Sequence, residues 1–320
     1  MVDVMDDGDT SSAGEDRALP LVCVLLSLYN GERYLSEQLE SLADQEDVRI
    51  HIEARDDGSS DASVALFERT CARLGLSNRV SLGANVGAAE SFLELMFQDL
   101  SGFDYIALCD QDDVWKTCKL SRAVRALEPH AGRPALYGAA HTLTDARLRI
   151  LSDSKSPSKI DFGNSLVENL IQGATAVMNR AGIAMLQEVG RPRDCVMHDW
   201  WCSIVFSALG SVTHDSCPTI LYRQHESNLV GTTHSFVAGW SARIARHLGR
   251  RTGSFYPQAR EFGALAGDKL PAAEKSILDR LLQSKRSFGR RVALAFDRRI
   301  WRQERLGDLG WRLLVLLGRY

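Results

Sequence analysis

Three aspartates that follow an apolar run are the residues whose types and spacing point most clearly to chemistry. The run from Tyr105 to Cys109 reads as a buried strand, and Asp110, Asp112 and Asp113 come directly after it. In an open α/β sheet, ligands bind at the carboxyl ends of the strands. Carboxylates this close raise each other's pKa unless a cation lies among them, and a divalent ion with oxygen ligands fits. The motif predicts either a metal site that would bind phosphate oxygens or a solvated acidic turn.

Polar turns also follow the other strands predicted in the first third of the chain. The run from Leu19 is continuously apolar, which is typical of a buried parallel strand, and later strands lead to turns at Asp57 and Asn85. Strands that alternate with helices imply right-handed crossovers and a parallel sheet, whose turns share one edge. Asp57, Asn85 and Asp112 are therefore expected to converge. Apolar spacing predicts the intervening helices over residues 34–42, 62–74 and 88–98.

Composition indicates an ordinary globular protein. The chain has 320 residues, 45% of them hydrophobic and 25% charged, which fits one large domain with an extension or two domains. No apolar run reaches the roughly 18 residues of a membrane span, and the acidic N-terminus is unlike a signal peptide, so we expect a cytoplasmic protein. Seven cysteines without a C-x-x-C pair argue against a zinc site and against a disulfide framework.

Charge is distributed unevenly along the chain. From Ala238 to the end there are 18 Lys and Arg against 7 Asp and Glu, although the whole chain has a net charge of -3. Arginines next to Trp, Phe and Leu at helical spacing are consistent with helices on an anionic membrane surface. Helices that pack on the domain or form a homodimer would explain the same spacing. A nucleic-acid partner is not favoured, because the basic excess has no accompanying motif.

Seven motifs in order carry a resemblance to a known family. The segments SLYNGERYL, RDDGSSD, NVGAAESF and CDQDD resemble the nucleotide-binding half of the family-2 glycosyltransferases, the inverting GT-A class. In the second half, ENLIQGATAVMNR and MHDWW resemble the acceptor side of that family. LYRQHESNLVG is similar to the motif of its bacterial rhamnosyltransferase-like branch. The Q-x-x-R-W motif of processive synthases is absent, so the transfer of one sugar per encounter is favoured.

The resemblance implies an α/β fold of the GT-A type. Its sheet would be Rossmann-like and mixed, mainly parallel, flanked by helices and followed by a C-terminal helical extension. We expect a disordered acidic tail over residues 1–18 and a glycosyltransferase domain over 19–235. That domain would divide into a nucleotide-sugar half, 19–115, and an acceptor half, 116–235. A basic amphipathic helical extension would occupy 236–320.

Roles on the donor side follow from chemistry and from the resemblance. A Mg²⁺ or Mn²⁺ ion held by Asp112, with Asp110 nearby, would neutralise the leaving diphosphate. By resemblance, Asp57 or Asp56 reads the base, Asp110 touches ribose or metal, and His225 completes the metal shell or binds the diphosphate. The nucleoside-diphosphate sugar would be dTDP-rhamnose or a UDP-sugar. Its other expected contacts are Ser27, Tyr29, Glu32, Asn85 and Gln111.

On the acceptor side, Asp199 matches the position of the general base of an inverting transfer. Met197 and the two neighbouring tryptophans would desolvate this carboxylate, although Asp199 could instead be a helix N-cap. A tryptophan would stack on a sugar ring or belong to the core. The turn at Gly173 is either a close approach of the backbone to substrate or merely a turn. The predicted acceptor or sugar contacts are Gly173, Ala174, Thr175, His198, Trp200 and Trp201.

Three classes of function remain open from the sequence. The first is an inverting glycosyltransferase that transfers a sugar, which we expect to be L-rhamnose, to a glycan or lipid-linked acceptor in surface polysaccharide synthesis. The second is a metal-dependent nucleotidyltransferase or phosphotransferase, which does not predict the H-D-W-W or Y-R-Q-H segments. The third is a sugar-binding scaffold without activity, which predicts loss of the metal aspartates or the base, whereas Asp110, Asp112 and Asp199 are present.

Overall fold

The computed structural model describes residues 18–225 and 255–320 of the chain. The predicted acidic tail, apart from its last residue, lies outside the described residues. So do residues 236–254 of the predicted basic extension and the end of the LYRQHESNLVG motif, residues 226–231.

Strands and helices alternate through the first part of the chain, as the apolar runs predict. The strands are β1 (Leu21–Leu28), β2 (Arg49–Asp56), β3 (Ser77–Leu82), β4 (Tyr105–Cys109), β5 (Val114–Trp115), β6 (Ala135–Ala139), β7 (Thr142–Thr144), β8 (Ile150–Asp153), β9 (Val177–Asn179), β10 (Ser211–Asp215) and β11 (Ile220–Arg223). The α-helices up to β10 are α1 (Leu35–Ala43), α2 (Ser63–Leu74), α3 (Ala88–Met96), α4 (Lys119–Leu127), α5 (Phe162–Ser165), α6 (Arg180–Val189) and α7 (His198–Leu209).

Seven strands form the larger sheet, in the order β10-β6-β9-β4-β1-β2-β3. Neighbours are parallel except at β9, which runs antiparallel to both β4 and β6. Since β1 pairs in parallel with β2 and with β4, the carboxyl ends of these three strands lie at one edge. This mixed, mainly parallel sheet between helices confirms the predicted fold class.

A second sheet of four strands, in the order β5-β11-β7-β8, adjoins that edge. Strand β11 pairs antiparallel with β5, where Leu221 lies opposite Val114. It also pairs in parallel with β7. Because β5 begins directly after Asp113, this pairing brings the Y-R-Q-H segment next to the aspartates of the first motif.

The core has two layers, one on each face of the larger sheet. Alternate residues of a strand point to opposite faces, so Cys23 and Leu25 of β1 pack in one cluster whereas Val22 and Val24 pack in the other. Helices α1, α2 and α4 cover the second face. Helices α3, α6 and α7 cover the first, which holds most of the aromatic side chains.

The described part of the predicted basic extension is helical. It forms α8 (Phe255–Ala266), α9 (Ala272–Gln283), α10 (Phe288–Ala295) and α11 (Arg305–Leu317). Phe262 and Trp311 join the same buried cluster as Phe162 and Trp201 of the acceptor half. These helices therefore extend the core of the acceptor half. In residues 18–225 and 255–320, no helix has the length and apolar character needed to cross a membrane.

Candidate functional site

Tyr29 and Gln111 connect the ends of β1 and β4. The Gln111 side chain accepts a hydrogen bond from the Tyr29 backbone N–H and donates one to the Tyr29 carbonyl oxygen, both at 2.9 Å. Gln111 therefore holds the backbone of Tyr29, whose side chain is 48% exposed at the sheet edge. The ring is accessible for stacking on a flat ligand, while the amide of Gln111 is engaged within the protein.

Asp56 and Asp57, at the end of β2, differ in their contacts. Asp57 accepts from the backbone N–H groups of Val86 and Gly87, both at 2.8 Å, and from Arg55 at 2.5 Å. Asp57 thus fixes the turn that follows β3. Asp56 accepts from two backbone N–H groups through Oδ2, but its buried Oδ1 has no hydrogen-bond partner among the described residues. Of the two candidates for base recognition, Asp56 is the one with a carboxylate oxygen that has no hydrogen-bond partner among the described residues.

Three other residues predicted to contact the nucleotide-sugar lie at the same edge. Ser27 pairs with Ser91 of α3 through their hydroxyl groups, 2.7 Å apart. The Glu32 carboxylate accepts from the backbone N–H of Ala62 at 3.3 Å. Asn85 is exposed in the turn that Asp57 holds. Ser27 and Glu32 therefore shape the turns around the edge through contacts within the protein.

The predicted metal residues Asp112 and His225 meet. His225 Nε2 lies 2.9 Å from Asp112 Oδ2, so a nitrogen and an oxygen ligand are next to each other. Burial, with the charges of Asp112 and Asp199, raises the pKa of Asp110 to about 7. The described ranges contain no group of three His, Cys, Asp or Glu side chains already arranged to hold a metal ion. The donor set fits a divalent cation that takes its remaining ligands from a phosphorylated substrate.

Arg223 is a residue of this site that the sequence analysis missed. It is buried, its backbone N–H donates to Asp113 Oδ1 at 2.9 Å, and its Nε donates to the carbonyl oxygen of Asp112 at 2.8 Å. Its guanidinium also bonds Glu37 at 2.5 Å and lies 4.4 Å from the centre of the Tyr34 ring. Arg223 therefore fixes the backbone that presents Asp112. The signal available in the sequence was the arginine of Y-R-Q-H.

Asp199 lies in the first turn of α7 and is buried. Its Oδ2 accepts from the backbone N–H of Gly173 at 3.0 Å and its Oδ1 from that of Trp200 at 2.7 Å. The alternative prediction that Asp199 caps the helix is wrong, since α7 begins at His198 and its N-cap is Met197. The two backbone donors hold the carboxylate in one orientation.

The turn over residues 173–175 connects Asp199 to the aspartate cluster. A Cβ on Gly173 would lie 2.9 Å from His198 Nε2 and 3.4 Å from Asp199 Oδ2, so the close approach requires glycine. Just beyond this turn, the carbonyl of Ala176 accepts from the N–H of Leu108 in β4 at 3.1 Å. The backbone that holds Asp199 is thus bonded to the strand that ends immediately before Asp110.

Ala174 and Thr175 have packing roles. Both are buried, and the Thr175 hydroxyl donates to the Gln172 carbonyl at 2.8 Å. That hydroxyl also accepts from the N–H of Ala139 at 3.2 Å. The close approach that the structure shows at this turn is that of Gly173 to Asp199 and His198. The predicted approach of the backbone to substrate stays a prediction, and the burial of Ala174 and Thr175 does not support their predicted contact with substrate.

The three aromatic residues around Asp199 differ in their surroundings. Trp201 is 0% exposed and meets the ring of Phe262 edge-on, so the prediction that Trp201 stacks on a sugar is wrong. Trp200 is partly exposed and donates from its indole nitrogen to the Ser165 carbonyl at 2.6 Å. His198 stacks on Phe92, and neither ring nitrogen has a partner among the described residues. Burial lowers the pKa of His198, which favours the neutral ring.

Tyr222 is a second residue that the sequence analysis passed over. It precedes Arg223 in β11, and its ring lies 5.3 Å from that of His141. Burial and the negative charges of Asp110, Asp113, Asp112 and Asp199 raise the pKa of its hydroxyl. The phenol therefore lies within the electrostatic reach of both the aspartate cluster and Asp199.

Sequence comparisons find glycosyltransferases among the proteins that this chain is similar to. Residues 23–141 match the model of glycosyl transferase family 2. The dTDP-rhamnosyl transferase RfbG of Shigella flexneri is 29% identical over 224 residues, which cover 67% of this chain and 76% of RfbG. An uncharacterized glycosyltransferase of Haemophilus influenzae is 27% identical over 173 residues, 53% of this chain and 66% of that protein.

Solved structures show the same fold. Residues 1–349 of TarS from S. aureus superpose with a TM-score of 0.53 at 15% identity, covering 93% of this chain and 79% of that one. The mannosyltransferase PcManGT of Pyrobaculum calidifontis gives a TM-score of 0.52 at 15% identity, with 93% and 74% covered. The family match and the sequence relatives are glycosyltransferases, and they do not support the nucleotidyltransferase or scaffold alternatives. The motifs, the match over residues 23–141 and the relatives together show that the chain is similar to glycosyltransferases of family 2, one of them a dTDP-rhamnosyl transferase, and that its sheet is similar to that of GT-A glycosyltransferases.

Proposed function

We propose that the protein transfers L-rhamnose from dTDP-rhamnose to a hydroxyl group of a glycan or lipid-linked acceptor, with inversion at the anomeric carbon. The observation that carries this proposal is the hydrogen-bonded connection of Asp199, through Gly173 and Ala176, to β4, the strand that ends immediately before Asp110. A base and a phosphate-binding edge on one framework are what direct displacement requires. The similarity to a dTDP-rhamnosyl transferase over 76% of its length supports rhamnose as the sugar.

The donor nucleotide would bind at the edge formed by β1, β2 and β4. The buried Oδ1 of Asp56, which has no hydrogen-bond partner among the described residues, would accept from the ring N–H of a pyrimidine base, and the accessible ring of Tyr29 offers a stacking surface. Thymine and uracil both have this N–H, so the site suits either base. TarS, which shares the fold, has been solved with UDP and with UDP-GlcNAc.

A Mg²⁺ or Mn²⁺ ion would be held by Asp112 and His225, with Asp110 nearby. Such an ion supplies a Lewis acid that neutralises charge on the leaving diphosphate. The role of the protein is to hold the metal ligands in place. Arg223 does so through the carbonyl of Asp112, and the 2.9 Å contact keeps His225 next to that carboxylate.

Asp199 would accept the proton of the acceptor hydroxyl while that oxygen forms its bond to the anomeric carbon and the bond to the diphosphate breaks. Attack on the face opposite the leaving group inverts the configuration. The N–H groups of Gly173 and Trp200 keep the carboxylate oriented during this step. The partly exposed Trp200 remains the candidate for contact with a sugar ring.

We further propose that the reaction takes place in the cytoplasm and contributes to surface polysaccharide synthesis.

The test of the proposed function is calorimetric titration of the protein with dTDP-rhamnose, UDP-glucose and UDP-N-acetylglucosamine, each with Mg²⁺ or Mn²⁺ and again with a chelator. Binding of dTDP-rhamnose that needs the metal and exceeds the binding of the UDP-sugars is expected. Preference for a UDP-sugar would overturn the choice of donor, and equal affinity with chelator would overturn the metal.

A further inference from the structure

Helix α11 has an inverted distribution of polar and apolar side chains. Leu306, Leu309, Leu313 and Leu317 are 69%, 66%, 56% and 58% exposed, and their spacing of three to four residues places them on one face. We call these four residues the leucine face. A surface helix ordinarily presents polar residues to solvent. In α11 the charged Arg312 turns inward instead, where it bonds Asp308 at 2.7 Å and the Ile300 carbonyl at 3.0 Å.

The apolar surface continues beyond the helix itself. Phe296, which is 75% exposed, lines a shallow groove together with Leu309, Leu313 and Leu316. Scattered apolar side chains on a surface are ordinary, whereas a contiguous apolar patch marks an interaction site. The leucine face and Phe296 form such a patch. The proposed reaction at Asp199 does not use it.

Basic side chains surround this patch. Arg298 lines the groove, and Arg305 and Arg319 lie at the two ends of α11. All three are exposed, and none of these side chains makes an ion pair or a hydrogen bond within the described residues. Residues 255–320 contain 14 Lys and Arg against 7 Asp and Glu. The arginines thus carry positive charge that the protein does not neutralise locally.

We propose that the leucine face and Phe296 dock on the surface of a lipid bilayer that contains anionic phospholipids. An apolar face with basic flanks lies in the interface between acyl chains and headgroups, and its binding depends on both apolar area and anionic lipid. A second copy of this chain would bring like charges together at the rim, since Arg298, Arg305 and Arg319 surround the same patch on both copies. Charge complementarity therefore favours the bilayer. The inference is independent of the proposed donor and acceptor.

The test is co-sedimentation of the full-length protein with vesicles. Wild type is expected to sediment with phosphatidylcholine vesicles containing phosphatidylglycerol, and to bind pure phosphatidylcholine vesicles at least about tenfold more weakly, because each basic residue near an anionic surface contributes to affinity. Leu309→Gln with Leu313→Gln is expected to lower binding to the anionic vesicles by about tenfold or more. Leu19→Gln is the matched control, since Leu19 is 48% exposed just before β1, at the end of the sheet opposite the donor edge. It should bind as wild type does.

A second variant tests the charges separately. Arg298→Gln with Arg305→Gln should weaken binding to anionic vesicles and leave the weak binding to neutral vesicles unchanged. Wild type that stays in the supernatant with anionic vesicles would refute the docking surface, as would a leucine variant that binds like wild type. A dimer in gel filtration that the leucine substitutions dissociate would assign the patch to self-association. Titration with dTDP-rhamnose in the same variants is a separate readout, because no substituted residue lies at the donor site.

Discussion

Asp56 and Asp57 are neighbours with the same side chain and different tasks. Asp57→Asn replaces an acceptor by an amide donor opposite the N–H groups of Val86 and Gly87. Because an unsatisfied buried group costs about 1 to 3 kcal/mol, the free energy of unfolding in urea should fall by that amount. Asp56→Asn should leave stability nearly unchanged, since asparagine also serves in turns, and should weaken dTDP binding about tenfold. Loss of nucleotide binding at full stability in the Asp57 variant alone would reverse the assignment.

Substitution of Asp199 separates binding from turnover. Asp199→Asn keeps an acceptor for the N–H of Gly173 but cannot accept the proton of the acceptor hydroxyl. The rate constant kcat should fall by about 10² to 10⁴, the usual contribution of a general base, while the Kd for the donor changes less than about threefold. Single-turnover kinetics and donor titration measure the two quantities. A variant with nearly normal kcat would exclude Asp199 as the base.

At the scale of elements, the short strand β11 of the smaller sheet places Arg223 next to Asp112, one of the proposed metal ligands. Arg223→Lys keeps the charge but cannot reproduce the bonds to the Asp112 carbonyl, the Ala146 carbonyl and Glu37. Since Arg223 is buried, we expect a loss of about 2 to 4 kcal/mol in the free energy of unfolding. We also expect that millimolar Mg²⁺ or Mn²⁺ will no longer increase the affinity of this variant for the donor in calorimetric titration.

Glu37→Gln is the matched control for this variant. It removes the ionic partner of Arg223 but leaves the bonds to Asp112 and Asp113 in place. Metal-dependent donor binding should survive in the Glu37 variant. If both variants lose the metal dependence of donor binding equally, that dependence requires the ion pair of Arg223 with Glu37 rather than the hydrogen bond from Arg223 to the Asp112 carbonyl.

The sequence allowed the order of the early elements to be predicted because each signal there is local. Continuous apolar runs give β1 and β4, and the turn after β4 delivers Asp110 and Asp112 to the sheet edge. The antiparallel insertion of β9 between β4 and β6 could not be predicted, since it depends on pairing between strands distant in the chain. Arg223 shows the same limit, because its partner Glu37 is 186 residues away.

Two adjacent tryptophans illustrate why the site was only partly predictable. Consecutive helical residues point about 100° apart, so Trp200 and Trp201 cannot share a role. Which one faces the core depends on the position of Phe262, in a helix that carried no family motif. In the same way, the contacts that distinguish Asp56 from Asp57 come from a turn some 30 residues later.

At the scale of the whole molecule, acid sensitivity is expected from His141. Burial and the charge of His214 lower its pKa to about 4, against the favourable charge of Asp153, and the ring packs on Tyr222. A histidine that is harder to protonate when folded stabilises the protein above about pH 6.5 and loses that contribution as the pH falls toward 4. The loss attributable to this group is at most about 3 kcal/mol.

His141→Gln tests this expectation because glutamine does not titrate. Urea unfolding of both proteins at intervals between pH 7 and pH 4 should show a shallower loss of stability in the variant. Parallel curves for the two proteins would show that His141 does not contribute to the acid sensitivity.

The segment just before α11, residues 299–303, packs firmly against the acceptor half. Gln303 donates to the Lys159 carbonyl and to Asn164, and a Cβ on Gly163 would overlap the carbonyl of Arg299. A bilayer bound by α11 would consequently lie at a constant height relative to Asp199. An acceptor anchored in that bilayer would have to span this height with its own glycan. The enzyme would then select acceptors by the number of sugars between lipid and terminal hydroxyl, as well as by the identity of the last sugar.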